Sequence, residues 1–336
     1  MQSNQSNLGK CFNMANRINR AVELLADSQP VYYVGGHTSL DQTFATRPTG
    51  ALTGMHTPVL TYEQGQIDAA TWADYINIGF EHGAFDLAGL DSYLHGMVDA
   101  GPTRSGHRTP AILVEVPVNG ISRPIVEANA WQFQQILARG VHGIILCKAN
   151  TADAVRAFVE CCRYPIQLAG VGKALNAGVR GFGSAITAAH VWGVDTETYG
   201  AKADPWPLNP DGELILGIKI ETRTGVDQLE EIVSVPGIAF AEVGPTDMSY
   251  ALGISKVEVP LTGEVAEIEK RLKDVCKVNG VPFHPFTGHL GPDGIPVIIA
   301  EGGRYFTSPS EEIAIVGRAH TKRSMPVYIR DGSRCE

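Results

Sequence analysis

Short runs of β-branched and aliphatic residues alternate with amphipathic segments along most of this chain. Such alternation is typical of repeated strand–helix units around a parallel sheet. Helical periodicity is clear at 129–139, 152–163, 226–233 and 262–278. The candidate strands are 31–34, 75–79, 111–116, 143–147, 214–220, 238–243, 281–283 and 304–307. About eight strands with intervening helices is the number that a TIM barrel requires, so we predict an α/β fold of the (β/α)8 type.

The barrel is predicted to occupy residues 31–323, preceded by a helical extension over 1–30 and followed by a tail over 324–336. Two connections, 35–66 and 181–211, are much longer than an ordinary loop between a strand and a helix. Long loops in compact domains commonly form lids, substrate walls or subunit contacts. We therefore expect a barrel with extended loops.

Composition excludes several classes of protein. The 336 residues are 44% hydrophobic and 19% charged, which is too apolar for a disordered chain. The formal net charge is −9, and the mixed acidic and basic residues include no long basic run, so no nucleic-acid partner is expected. No apolar run approaches the ~18 residues of a membrane span, so no membrane association is expected either.

The expected location is the cytoplasm. Residues 1–7 are polar and lack the apolar stretch of a signal peptide. The six cysteines show no CxxC pair and no spacing typical of structural zinc. Reduced thiols in a cytoplasmic protein explain this pattern best.

Two acidic residues directly follow predicted strands. Glu221 ends the apolar run 214–220, and Asp247 follows the turn at Gly244 and Pro245 after the strand at 238–243. Because the carboxyl ends of barrel strands converge on one face, these carboxylates are expected to lie close together. Such a pair suits a hard cation such as Mg²⁺ or Mn²⁺. Singly, Asp247 is equally compatible with a helix N-cap and Glu221 with a solvated strand end.

Histidines also follow predicted strands. His82 comes after the second strand, where an imidazole could act as a general acid or base, although a lone histidine is usually structural or solvated. His284 and His289 flank the end of the seventh strand. Their spacing is not that of metal ligands on a helix, and a substrate contact is the alternative for His284.

Four segments together resemble the class II 2-oxo-acid aldolases of the 4-hydroxy-2-oxoheptanedioate aldolase and citrate lyase family. They are EHG at 81–83, RGFGSA at 180–185, IETR at 220–223 and GPTDMS at 244–249. Each motif is weak alone, but their order and spacing fit from about residue 31 to residue 323. The resemblance implies a TIM barrel of the phosphoenolpyruvate/pyruvate-binding type.

The resemblance also implies how a site would be built. Glu221 and Asp247 would hold Mg²⁺, Mn²⁺ or Co²⁺, which would chelate a 2-oxo acid and stabilise its enolate. Backbone N–H groups near Thr246 would hold the substrate carboxylate. Gly181 and Gly183 would let the backbone approach the site closely.

Two departures from the family pattern concern catalysis. The resemblance implies that His82, which would move the proton of the aldol hydroxyl, is oriented by an Asp three residues earlier, but that residue is Gly79. An Arg implied at the end of strand three is also missing, since the strand reads VEVP at 114–117. Arg123 is the candidate substitute for it, although a surface role is equally compatible. Lys219 replaces a Gln of many relatives and could bring positive charge near the enolate.

The sequence therefore predicts a metal-dependent carbon–carbon lyase that cleaves a hydroxylated 2-oxo acid through a pyruvate-type enolate. The lengthened connections, with Trp192 and Tyr199 in 181–211, suggest a bulkier second product than a simple semialdehyde. The resemblance implies a role in aromatic compound catabolism. The alternatives are a 2-oxo diacid decarboxylase or another lyase on the same site, and a non-catalytic metal- and oxo-acid-binding protein. The resemblance further implies a homo-oligomer, a hexamer built as a trimer of dimers.

Overall fold

The computed structural model describes residues 17–37, 59–287, 290–307 and 310–323. His289, the tail at 324–336 and most of the 35–66 connection lie outside the described residues. The strands are β1 (Val31–His37), β2 (Tyr75–Gly79), β3 (Ala111–Asn119), β4 (Gly143–Cys147), β5 (Pro205–Trp206), β6 (Leu214–Ile220), β7 (Phe240–Val243), β8 (Phe283–His284) and β9 (Tyr305–Thr307).

Helices separate most of these strands. They are α1 (Arg20–Ala26), α2 (Tyr62–Asp68), α3 (Leu87–Asp99), α4 (Arg123–Ala128), α5 (Ala130–Leu137), α6 (Ala152–Cys162), α7 (Ala185–Trp192), α8 (Thr196–Lys202), α9 (Arg223–Asp227), α10 (Leu229–Val233), α11 (Pro245–Ala251), α12 (Gly263–Asn279), α13 (Ile295–Ala300) and α14 (Glu311–His320). None of the helices within the described ranges combines the length and the apolar composition needed to cross a bilayer.

The strands form a nearly closed parallel barrel. Their order is β8-β7-β6-β4-β3-β2-β1-β9, with the two-residue β5 attached to β6. Phe283 of β8 pairs with Gly303, and the Arg304 N–H donates to the Phe283 carbonyl at 3.0 Å, which brings β8 against the strand region that leads into β9. The predicted TIM barrel is confirmed, and its carboxyl strand ends share one face.

Helix α1 closes the opposite end of the barrel. Its Ala21 and Val22 are fully buried and pack in one cluster with Val31 and other side chains of the barrel interior. The Asn19 side chain caps α1 and donates to the backbone carbonyl of Glu213 at 2.9 Å, ahead of β6. Helix α1 therefore closes one end of the barrel, and the carboxyl ends of the strands form the open face at the other end.

The 181–211 connection is not one extended loop, which corrects that expectation. It contains α7 and α8, whose Trp192 and Tyr199 are buried among the outer helices. The Trp192 indole donates to the Gly140 carbonyl at 2.9 Å, and Tyr199 accepts a bond from Arg180 at 2.7 Å. Apolar residues at helical spacing from Ala185 onward explain why this segment folds against the barrel.

A buried ion cluster ties the end of the described chain to the barrel. The Asp74 carboxylate, 1% exposed just before β2, lies 2.9 Å from Arg323 and 3.4 Å from Arg318. It also accepts the backbone N–H of Tyr32 on β1 at 3.0 Å. Burial would raise the pKa of Asp74, but the two guanidinium groups outweigh it and hold the pKa below the ordinary value.

Asp74→Asn is expected to lower the free energy of unfolding by about 3–5 kcal/mol, because it leaves two guanidinium groups without their buried counter-charge. The measurement is urea denaturation at pH 7. Asp153→Asn serves as the control, since Asp153 pairs with Arg123 but its side chain is 58% exposed, and we expect a change below about 1 kcal/mol. Equal losses in both variants would contradict a structural role specific to the cluster.

Candidate active site

A cavity of about 590 Å³ opens at the carboxyl ends of the strands. Residues after β2, β6, β7 and β8 reach it, as expected for a barrel whose strand ends converge. Those predicted from the sequence that line it are His82, Lys219, Glu221, Thr246, Asp247 and His284. The wall also includes Tyr33, Glu115, Glu242, Thr287 and Thr307.

Glu221 is buried at the end of β6, with 1% of its surface exposed. One carboxylate oxygen accepts the backbone N–H of Lys148 at 2.9 Å, and the other lies 3.2 Å from the Lys219 ammonium. Burial raises the pKa of Glu221 to about 7, with Lys219 opposing the rise and the charge of Glu81 adding to it. Gly244 makes room for this carboxylate, because a Cβ there would lie 1.9 Å from Glu221 Oε1.

Asp247 lies in the first turn of α11, and its carboxylate contacts His82 and Lys148. Its Oδ2 lies 3.0 Å from His82 Nε2 and accepts from Lys148 Nζ at 3.3 Å. The N-cap of α11 is Gly244, so the alternative in which Asp247 merely caps the helix is not what the structure shows. Asp247 is instead available to the cavity.

Glu81 is a site residue that the sequence analysis quoted only as part of a motif. Its carboxylate accepts from Lys148 at 2.9 Å and from Lys219 at 3.2 Å, and it lies 3.5 Å from His82 Nε2. Burial would raise the pKa of Glu81, but the neighbouring lysines lower it to about 2. Glu81 is therefore ionised, and its carboxylate contacts both lysines, which in turn contact Glu221 and Asp247.

Lys148 is the residue that sequence reasoning missed. It follows β4 directly, as Glu221 follows β6, and this position at a strand end was the available signal. Its backbone has φ of 50°, an unusual value for a residue with a side chain, and its ammonium contacts both Glu81 and Asp247. Backbone N–H and ammonium together connect Glu221 and Asp247.

Arg123 does not lie in this cavity, so the structure gives no support to the expectation that it replaces the strand-three Arg. It begins α4 on the outside of the barrel, where its guanidinium lies 2.7 Å from Glu160, 2.9 Å from Asp153 and 2.9 Å from Glu127. Three carboxylates on the outer helices therefore hold its charge away from the open face.

Gly181 and Gly183 are also placed away from the cavity. Both are exposed, and a Cβ built on either one would meet nothing within 4 Å. The close backbone approach expected of them is therefore not seen among the described residues. Their neighbour Arg180 is buried, and it donates to the Tyr199 hydroxyl at 2.7 Å.

The donor groups around the cavity fit a divalent cation. Glu81, His82 and Asp247 each bring one possible ligand atom within 4.8 Å of the others, and so do Glu81, Cys147 and Glu221. Carboxylate oxygens are the preferred ligands of Mg²⁺, and a cation would stabilise the ionised form of the buried Glu221. Glu221 belongs to one of these two groups and Asp247 to the other, and Glu81 belongs to both.

Sequence comparisons relate this chain to proteins that are named as aldolases. A family model described as HpcH/HpaI aldolase/citrate lyase matches residues 73–287. A hydroxypyruvate/pyruvate aldolase of Cupriavidus necator is 28% identical over 204 residues, which are 61% of this chain and 61% of that protein. A 2-keto-3-deoxy-L-rhamnonate aldolase of Klebsiella pneumoniae is 33% identical over 133 residues, 40% of this chain and 43% of that protein. The chain thus matches less than two thirds of the length of these curated relatives.

Solved structures support the fold. An HpcH/HpaI aldolase/citrate lyase family protein from Burkholderia cenocepacia aligns with a TM-score of 0.61 at 20% identity, covering 90% of this chain and 97% of that one. Macrophomate synthase aligns with a TM-score of 0.57 at 20% identity, covering 91% of this chain and 87% of that one. At these identities the similarity establishes a common barrel architecture.

Proposed function

Because the chain belongs to the HpcH/HpaI aldolase/citrate lyase family, we propose that it is a divalent-metal-dependent carbon–carbon lyase cleaving a hydroxylated 2-oxo acid. The observation that carries this proposal is the convergence of Glu221 and Asp247 on one cavity, where Lys148 contacts both. The relatives named above are aldolases of 2-oxo acids. A bound Mg²⁺, Mn²⁺ or Co²⁺ would supply a Lewis acid for the substrate carbonyl.

His82 is the proposed acid–base group. Its side chain is 46% exposed at the cavity, and its Nε2 lies 3.0 Å from Asp247 Oδ2. In this position the imidazole takes the proton of the aldol hydroxyl as the carbon–carbon bond breaks. Asp247 thereby takes over the orienting role that an Asp at the position of Gly79 would have. Thr246, in the same wall, is the proposed contact of the substrate carboxylate.

Lys219 is proposed to act through its charge and not as an imine-forming amine. Burial would lower the pKa of Lys219, but neighbouring carboxylates, above all Glu115, hold it well above its ordinary value. A protonated amine cannot attack a carbonyl, so an imine mechanism is disfavoured. Lys219 instead balances the carboxylates of Glu81 and Glu221, each 3.2 Å from its ammonium.

The proposal is tested by exchange of the pyruvate methyl protons in deuterium oxide, followed by NMR. We expect the exchange rate to fall to the background rate after chelation, and to return with Mg²⁺, Mn²⁺ or Co²⁺, because enolisation needs the Lewis acid. Exchange that survives chelation, or that none of the three metals supports, would overturn the proposal. The glycine at position 79 and the missing strand-three Arg motivate a non-catalytic binding protein as one alternative, and decarboxylation of a 2-oxo diacid at the same metal site is the other. Product analysis with oxaloacetate separates it from retro-aldol cleavage, while ligand binding without turnover would indicate a binding protein.

We also propose a cytoplasmic homo-oligomer, a hexamer arranged as a trimer of dimers, supported by the motif resemblance. A place in aromatic compound catabolism is proposed on the same basis. The expectation of a bulky second product depended on Trp192 and Tyr199. Both are buried in the core and do not line the cavity, so they give that expectation no support.

A further inference from the structure

The cavity has a second wall that the proposed metal and acid–base residues do not use. Strand register places Glu242 on β7 beside Lys219 on β6 and beside His284 on β8. The side chains of β1, β9 and the segment after β8 complete it. The five residues of this second wall are Tyr33, Glu242, His284, Thr287 and Thr307.

Glu242 presents a fixed anionic acceptor in this wall. Its carboxylate pairs with Nδ1 of His284, which is itself 5% exposed. Burial would raise the pKa of Glu242, but the charges of His284 and Lys219 outweigh it and lower the pKa. An ionised carboxylate can only accept hydrogen bonds, so Glu242 favours a partner that donates them.

The two threonine hydroxyls of the wall are also acceptors toward the cavity. Thr307 donates its hydroxyl proton to the Tyr33 oxygen, and Thr287 donates its own to the backbone carbonyl of Thr307 at 3.3 Å. Each threonine hydroxyl has thus used its proton, while its oxygen keeps accepting capacity. The second wall therefore combines a carboxylate with hydroxyl oxygens that favour donors.

A second carboxylate on the substrate would be poorly received here. Among the described residues that line the cavity, Lys219 is the single lysine or arginine. Its ammonium already lies 3.2 Å from Glu81, 3.2 Å from Glu221 and 3.9 Å from Glu115. A distal carboxylate would face Glu242 without an uncommitted cation, which costs free energy in a partly buried site.

We propose that the second wall selects substrates whose distal part carries hydroxyl groups, which donate to Glu242 and to the threonine oxygens. The aldehyde product is then a hydroxyaldehyde, and not an apolar or a carboxylate-bearing aldehyde. This inference rests on the proposed lyase function and names its substrate class.

The test is metal-dependent addition of pyruvate to three aldehydes, namely glyceraldehyde, butanal and succinic semialdehyde. We expect kcat/KM for glyceraldehyde to exceed that for each of the other two by at least about tenfold, the effect of a hydrogen bond to a charged group. Pyruvate proton exchange by the same preparation, which involves no aldehyde, tests the proposed function separately.

Glu242→Gln keeps the shape of the side chain but removes the charge, so the preference for glyceraldehyde over butanal should fall by about tenfold. Thr287→Val removes a hydroxyl without changing the size of the side chain and should lower the same ratio. Glu264→Gln is the matched control, since Glu264 is exposed and pairs with Arg223 outside the cavity. Because the readout is a ratio within one preparation, a loss of folded protein cancels.

Proton exchange together with a wild-type preference for glyceraldehyde that both wall variants reduce would support the inference. Exchange without that preference, or a preference unchanged in both wall variants, would overturn the inference and leave the lyase proposal standing. No exchange with any of the three metals would overturn both.

Discussion

Glu221→Gln is expected to reduce metal-dependent exchange of pyruvate protons by more than about a hundredfold. Replacing a residue that only orients a metal ligand typically costs about 10- to 100-fold, so the loss of a ligand itself should exceed that. Glu221 is buried, and its two oxygens face the Lys148 N–H and the Lys219 ammonium. An amide would turn an N–H group toward one of these donors and would remove the charge that a cation needs. Exchange is measured by NMR, and metal affinity by calorimetry.

A second variant displaces the Glu221 carboxylate without replacing Glu221 itself. In Gly244→Ala the new methyl group would occupy the space of Glu221 Oε1, since the built Cβ lies 1.9 Å from that atom. The carboxylate must move, so metal affinity and exchange should fall together. Glu264→Gln is the control for removing an acidic side chain at an exposed position. Wild-type affinity in both Glu221→Gln and Gly244→Ala would exclude Glu221 as a metal ligand.

Much of the barrel could be predicted because its strands are short apolar runs with clear ends. The predicted strands at 75–79, 143–147 and 214–220 coincide with β2, β4 and β6. The helix predicted over 226–233 is in fact divided between α9 and α10 at Gln228, an interruption that apolar spacing does not show. The 181–211 segment differs more from the prediction, because α7 and α8 occupy 185–202, ahead of the prolines at 205, 207 and 210 that are typical of a loop.

The site residues also include some whose placement the sequence predicts and others whose placement it does not. Glu221, Asp247 and His82 were predictable because each follows a strand, and the topology of a barrel brings strand ends together. Lys148 also directly follows a strand, β4, and that position was the available signal. The sequence does not show its positive φ, which residues other than glycine rarely adopt, or the contacts of its ammonium with Glu81 and Asp247. For Arg123 the sequence leaves a site role and a surface role open, because its position depends on Glu160 of α6, a partner distant in sequence.

Lys148→Met is expected to lower kcat for retro-aldol cleavage by about a hundredfold, the usual effect of removing one group that stabilises developing negative charge. The family resemblance implies an Arg at the end of strand three, but this chain has Glu115 there, and Lys219 is committed to neighbouring carboxylates. The Lys148 ammonium also contacts carboxylates, those of Glu81 and Asp247, but its side chain is 24% exposed against 11% for Lys219, so it is the more accessible of the two cations. We therefore expect KM to change less than kcat.

The variants around Lys148 separate charge from backbone geometry. Lys322 has φ of 56°, close to the 50° of Lys148, but it is exposed and distant in sequence from the cavity residues, so Lys322→Met should retain full activity. Lys148→Arg keeps the positive charge and should recover much of the kcat lost in Lys148→Met, since the guanidinium can still face Glu81 and Asp247. If Lys148→Arg and Lys148→Met were equally inactive while both bound metal normally, the ammonium geometry would matter more than its charge. Wild-type kcat in Lys148→Met would instead leave Lys219 as the cation that compensates for the missing Arg.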